Sequence, residues 1–194
     1  MINIKKLNLG FTLVELLIVI GLLGAIALIV IAAINPIEQA NRARDTRFKA
    51  DSGQLISAID RYFAANSEFP WMTGTTVEND DAVTFVSAQD PSIGICLATG
   101  CADDGNLIST NELKTEFRNR DFIQDATEVS EMIWVGKDSG ASSSVYACFI
   151  PLSNSERNKA DNLKSLSFTN GLLDTCVAPA DWSTGTPCYV CLPQ

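Results

Sequence analysis

The sequence predicts an α+β fold: a long N-terminal helix, membrane-spanning in its first half, packed on a small antiparallel β-sheet head. Three observations predict it. Phe11 to Ile34 is a 24-residue apolar run with a single charge, Glu15. Past Pro36, Ile37, Ala40, Phe48, Leu55, Ile59 and Tyr62/Phe63 recur at near-helical spacing to about Ala65. Beyond that point, short β-prone runs alternate with loops rich in Gly, Ser, Asn and Asp. At 194 residues the chain has room for one ordinary domain plus an appendage.

Composition excludes several classes. The net charge is −9, from 14 Lys+Arg and 23 Asp+Glu. Phosphate affinity rests on Lys and Arg, so the balance argues against a nucleic-acid binder. The chain has no histidine, which excludes a Ser-His-Asp triad, a Cys-His pair and a His-ligated metal.

The apolar run reaches ~36 Å as a helix, enough for a ~30 Å hydrocarbon core. Its 16 Leu, Ile, Val and Phe residues contribute about −5 to −10 kcal/mol to insertion, against roughly +2.5 to +3.5 for a central acid. The segment therefore inserts despite Glu15. Lys5 and Lys6 precede it, so the N-terminus stays in the cytoplasm and the rest is exported. A cleaved secretory signal would have a shorter core, and the nominal Ala25-x-Ala27 site lies inside the run. A lipoprotein signal would need a cysteine beside the core. A plain signal anchor explains length and orientation, but not an acid five residues after the glycine that ends a basic leader.

Gly10 followed by Phe11-Thr12-Leu13-Val14-Glu15-Leu16-Leu17 resembles the class III signal of type IV pilins and of type II secretion pseudopilins. The resemblance covers roughly residues 1–65. It implies cleavage between Gly10 and Phe11 by prepilin peptidase, N-methylation of Phe11, and Glu15 as the family's acid at the fifth mature position. An acid in hydrocarbon is functional by default and needs a partner. Here the partner is the Phe11 ammonium of a neighbouring subunit, a pairing that favours one axial stagger.

Asn35-Pro36 marks a kink or break, because proline lacks an N–H and clashes with the preceding turn. Gly21 and Gly24 weaken the helix upstream. The resemblance implies helix loss in the assembled filament from Gly24 to Pro36. From Glu38 to Asp51 the chain carries both charge signs, with Glu38–Arg42 and Asp45–Lys49 as i, i+4 pairs. Arg42, Arg44, Arg47 and Lys49 read as a solvated face, with contact to anionic lipid as the sharper alternative.

In the head, Asn66 to Asp81 reads as loop and Ala82–Ser87 as a short strand. Ser109-x-x-Glu112 is a capping-box pattern ahead of a short helix over Asn111–Arg120. Met132–Val135 and Val145–Ile150 read as a hairpin, Leu172–Val177 and Tyr189–Leu192 as further strands, and Ser153–Lys164 as surface loop or a helical turn. Trp71, Trp134 and Trp182 belong to the core or its rim.

All six cysteines fall after residue 95, which suits a disulfide framework in an oxidising compartment. Cys188-x-x-Cys191 alone is a poor metal site. Six cysteines allow 15 connectivities. The expected set is Cys96–Cys101 across the Gly100 turn, Cys148–Cys176 between two candidate strands, and Cys188–Cys191 by remainder.

No phosphate loop or nucleophile elbow is present, so no enzyme, cofactor or metal is expected. Asp103-x-Gly105 and Asp80-Asp81 are acidic turns of the kind that holds calcium in some major pseudopilins. They lack the EF-hand pattern, and solvated turns are the preferred reading.

The expected layout is a leader over 1–10, a transmembrane and assembly helix over 11–35, its amphipathic continuation over 36–65, and an exported head over 66–194. The expected function is that of a structural subunit of a type IV pilus or related filament. Its partners would be like subunits, prepilin peptidase, an inner-membrane assembly platform and, before assembly, lipid. Its place would be the bacterial inner membrane, then a surface filament or periplasmic pseudopilus. One alternative is a pseudopilin of a type II secretion or DNA-uptake machine. The other, from a different class, is a membrane-anchored binding module that never polymerises.

Overall fold

A computed structural model describes residues 10–33, 35–72, 83–98, 100–140, 143–169, 171–179, 182 and 186–193. The chain forms two compact units, Met1–Gln39 and Ala40–Gln194.

In the first unit, α1 spans Leu13–Ala33. In this single chain it runs unbroken across Gly24. One helix glycine costs about 1 kcal/mol relative to alanine, too little to interrupt a helix of 21 residues. Among the described residues the helix is interrupted at Asn35, ahead of Pro36. Asn35 Oδ1 accepts the Glu38 N–H at 3.2 Å, and Pro36 is the first residue of α2, Pro36–Asn66. Proline is well placed there, since its missing N–H would have had no helical partner. The dipeptide thus starts a helix as much as it ends one.

In the second unit, α2 turns Asp45, Phe48, Ser52, Leu55, Ile59 and Tyr62 inward, in steps of three or four. They face an antiparallel six-stranded sheet: β1 (Val83–Ser87), β2 (Ile133–Lys137), β3 (Val145–Phe149), β4 (Leu163–Leu166), β5 (Leu173–Thr175) and β6 (Tyr189–Leu192). The spatial order is β1-β2-β3-β6-β4-β5. Strand alternation divides the side chains between two cores. Ile133, Val135, Ala147, Phe149, Leu163 and Val190 join α2 in the main core. There the Phe48 ring meets Phe149 edge-on at 5.6 Å. Phe85, Cys148, Tyr189 and Cys191 point to the outer face, under Trp134, Tyr146 and Trp182. Each fully buried Leu, Ile, Val or Phe contributes roughly 1.5–3 kcal/mol.

The β2–β3 hairpin forms in register, with Trp134 opposite Cys148 and Val135 opposite Ala147. The helix expected over 111–120 does not form. Ser109 is instead the last residue of α3 (Asn106–Ser109), and Asn111 takes a positive φ of 64°. The Leu113 N–H then folds back onto Leu107 O, and Leu113 and Phe117 are buried. Glu112 bonds Arg61 at 2.8 Å instead of capping. Burial of two apolar side chains outweighs a local pattern worth a fraction of that. A short 3-10 turn, Thr115–Asn119, leads to α4 (Asp121–Gln124). The capping box that does form is Glu128 with Glu131. Ser153–Lys164, expected as surface loop or a helical turn, does hold a helical turn, α5 (Asn154–Arg157), but its end enters β4 at Leu163, which is fully buried.

The bonded cysteines are Cys96–Cys101, Cys148–Cys191 and Cys176–Cys188. Two expected pairings are therefore wrong. Cys148 sits on β3 and Cys176 just past β5, and β6 and β4 lie between them. Cys148 also points into the outer cluster while Cys176 packs against the main core, so the sheet itself separates them, and Cys176 instead reaches Cys188, Cα to Cα 5.7 Å. Cys188 and Cys191 are three residues apart along an extended chain, about 10 Å, and an odd step turns them to opposite faces. Cys191 lies directly opposite Cys148 on the neighbouring strand, Cα to Cα 4.0 Å.

Candidate assembly site

The residues singled out at the N-terminus lie at the start of α1. Gly10 and Phe11 precede the helix and are exposed, Phe11 to 75%. Thr12 occupies the cap position. Its Oγ1 accepts the Glu15 N–H at 3.2 Å, and its hydroxyl donates to Glu15 Oε2 at 3.4 Å. Leu16 N–H bonds Thr12 O at 3.2 Å. The cap satisfies one orphan donor of the first turn and places the carboxylate at the positive end of the helix. Thr12-x-x-Glu15 is itself a capping-box pattern ahead of an apolar run. That signal stood in the sequence, but Thr12 was read only as part of the cleavage motif.

Behind the cap, α1 offers apolar side chains on every side. Leu13–Ile31 is long and apolar enough to cross a membrane, and no part of it is buried among the described residues. A helix apolar all round requires lipid or other apolar helices as its surroundings. The one acid in it has a single hydroxyl donor, and a carboxylate has lone pairs for more. The site can therefore accept bonds from a cation brought by another molecule.

The cations read as a solvated face belong largely to the head. Arg44 donates to Ile150 O at 3.0 Å and to Ser130 O. Arg47 pairs with Asp121 at 2.6 Å. The expected Asp45–Lys49 pair is not made, because each finds a better partner across the fold. Asp45, 2% exposed, accepts the Leu152 and Ser153 N–H groups and the Ser153 hydroxyl, the last at 2.7 Å. Lys49 pairs with Glu156 at 2.8 Å. Burial works against ionisation of Glu156, but hydrogen bonds from Lys159 and Lys49 outweigh it and hold the carboxyl below the ordinary range. Asp51 goes the other way. Burial raises its pKa, and the Arg120 and Arg47 charges only partly oppose that.

Of the two acidic turns, Asp80-Asp81 lies outside the described residues. Asp104 pairs with Arg118 at 3.0 Å. No three His, Cys, Asp or Glu side chains gather into a metal-binding group among the described residues.

A capped acid at the head of an exposed apolar helix, joined to an α+β head of pilin-like layout, defines the class: a chain fitted for membrane anchoring through its N-terminus. The particular signal follows from comparison. Residues 5–31 match the family model of the prokaryotic N-terminal methylation motif, so the chain carries the signal of type IV pilins and pseudopilins. No curated protein and no solved structure matches the chain.

Proposed function

We propose that this chain is a structural subunit of a type IV pilus or a related filament, not an enzyme. Prepilin peptidase removes residues 1–10 and methylates Phe11. Residues 11–35 hold the subunit in the inner membrane, residues 36–65 join them to the head, and residues 66–194 form the exported part. On an assembly platform the apolar helices leave lipid and pack against one another. Glu15 then accepts the Phe11 ammonium of a neighbour, and the exchange of lipid for like helices keeps every apolar face covered. The observation that carries this reading is the methylation motif over residues 5–31, most of which is a helix that buries none of its apolar surface against the other described residues. Three disulfides fit a head that matures in an oxidising compartment.

Mass spectrometry of the mature N-terminus tests the processing. The expected species begins at methylated Phe11; one beginning at Met1, or after Ala27, overturns the reading. Shearing then separates polymer from anchored monomer, since only a filament subunit leaves the cell with a fibre. Glu15→Ala should insert and be cleaved normally but accumulate as membrane-bound monomer. Its loss strands a buried ammonium, a defect of about 3–5 kcal/mol. Wild-type filament abundance in that variant would assign Glu15 to the headgroup level of an ordinary anchor.

A further inference from the structure

The native bridges do not follow the order of the cysteines along the chain. Cys96 and Cys101 are neighbours and pair with each other. The next four are nested, with Cys148–Cys191 enclosing Cys176–Cys188. The sheet imposes the nesting. β6 is the last of the six strands along the chain, yet it lies inside the sheet, between β3 and β4. Cys191 on β6 stands opposite Cys148 on β3. Cys188, just ahead of β6, bonds Cys176. The native partners of both Cys148 and Cys176 therefore arrive with β6.

A head exported behind an N-terminal anchor emerges in sequence order, so Cys148 and Cys176 are present before Cys188 and Cys191. In that interval neither has its native partner, and the sheet that separates them in the fold has not closed. The loop between them is shorter than the native one of 43 residues, and closure entropy rises only slowly with length. Oxidation then makes Cys148–Cys176 and leaves Cys188-x-x-Cys191 to close on itself. The misbonded chain cannot complete its sheet, because Cys148 belongs to the outer cluster and Cys176 packs against the main core. Nor can it correct itself. All six cysteines are bonded, and disulfide exchange starts only from a thiolate.

We propose that this chain is a client of a thiol–disulfide isomerase, which converts a first-formed Cys148–Cys176 bridge into the nested native pair. The enzyme's thiolate attacks Cys176 Sγ, forms a mixed disulfide there and releases Cys148 as thiolate. Cys148 attacks Cys191 Sγ and displaces Cys188 as thiolate. Cys188 attacks Cys176 Sγ and returns the enzyme's thiolate. Two disulfides become two disulfides, with no net oxidant or reductant. The reaction stops at the native pair because Cys148, Cys188 and Cys191 are then buried, out of reach of the enzyme. The inference rests on the reading of an exported head in an oxidising compartment.

The test follows the full-length chain in exporting bacteria, pulse-labelled, trapped with an alkylating agent at intervals and mapped by mass spectrometry of unreduced peptides. A peptide joining Cys148 to Cys176 should appear first and give way to the Cys148–Cys191 and Cys176–Cys188 peptides. With the attacking cysteine of the periplasmic isomerase replaced by serine, the first peptide should persist and the native two should be lost. That chain, purified in detergent, should regain the native pairs on addition of reduced isomerase in catalytic amount without oxidant. The double variant Cys176→Ser with Cys188→Ser removes the early partner, so its Cys148–Cys191 bridge should form with or without the enzyme. Native pairs alone at every time, native pairs in full yield without the isomerase, or a double variant that still needs it each overturns the inference. Free thiols throughout would fault the oxidising-compartment reading itself, and this inference with it.

Discussion

Two carboxylates on or against α2 are driven in opposite directions by their surroundings, and pH separates them. Asp51 is buried, and its Oδ2 has no hydrogen-bond partner among the described residues. Arg120 stands at 3.6 Å from the other oxygen. Because folding raises its pKa, ionised Asp51 weakens the fold, and the penalty grows as pH rises from the unfolded value through the folded one. Glu156 is depressed by its two lysines, so its contribution is present above the unfolded value and is lost as pH falls through the folded one. Urea unfolding between about pH 3 and pH 7 should read both signs. Asp51→Asn should gain on wild type toward neutral pH and match it in acid. Glu156→Gln should fall behind toward neutral pH and match it in acid. Parallel curves for either variant would sink the corresponding assignment.

At the scale of elements, the disulfides do unequal work. Cys148–Cys191 spans 43 residues, Cys176–Cys188 spans 12 and Cys96–Cys101 spans 5. By loop-closure entropy their losses rank at about 4, 3 and 2 kcal/mol. Pairwise Cys→Ser variants, unfolded in denaturant, should lose midpoint in that order. An equal loss from the 5-residue loop would mean that native packing, not chain entropy, sets the cost. The same elements show how local patterns yield to tertiary burial. Ser109-x-x-Glu112 had the letters of a helix start, but Leu113 and Phe117 gain more by turning into the core. Thr12-x-x-Glu15 had the same letters and formed its cap, because no described residue packs on α1 and competes with it.

At the scale of the whole molecule, the division between Gln39 and Ala40 separates surface that needs other molecules from surface that covers itself. The apolar stripe of α2 that closes the main core begins beyond it, with Asp45 and Phe48 as the first buried positions. A chain starting at Ala40 should therefore be soluble, form all three disulfides and unfold in one cooperative step by calorimetry. The full chain should need detergent or lipid to stay dispersed. Aggregation of the shortened chain from an oxidising compartment would mean that the head depends on the N-terminal unit for its core.

What the sequence determined by itself is the part ruled by neighbours along the chain. Gly10, Phe11 and Glu15 stand in fixed order at the start of an apolar helix, and a run of that length and polarity has few ways to be satisfied. The α2 stripe from Phe48 onward and the β2–β3 hairpin were legible for the same reason, since periods of 3.6 and 2 record which face is buried; Ile37 and Ala40, expected in the stripe, are exposed because they precede the part of α2 that packs on the sheet. The tertiary structure alone decided the Cys148–Cys191 and Cys176–Cys188 pairs, the short β4 and the charge partners of Asp45 and Lys49. Each depends on which strand lies beside which, and the order β1-β2-β3-β6-β4-β5 is set by long-range packing that no local spacing encodes. A disulfide reaches only a few ångströms, so its pairing is known only once the neighbours are.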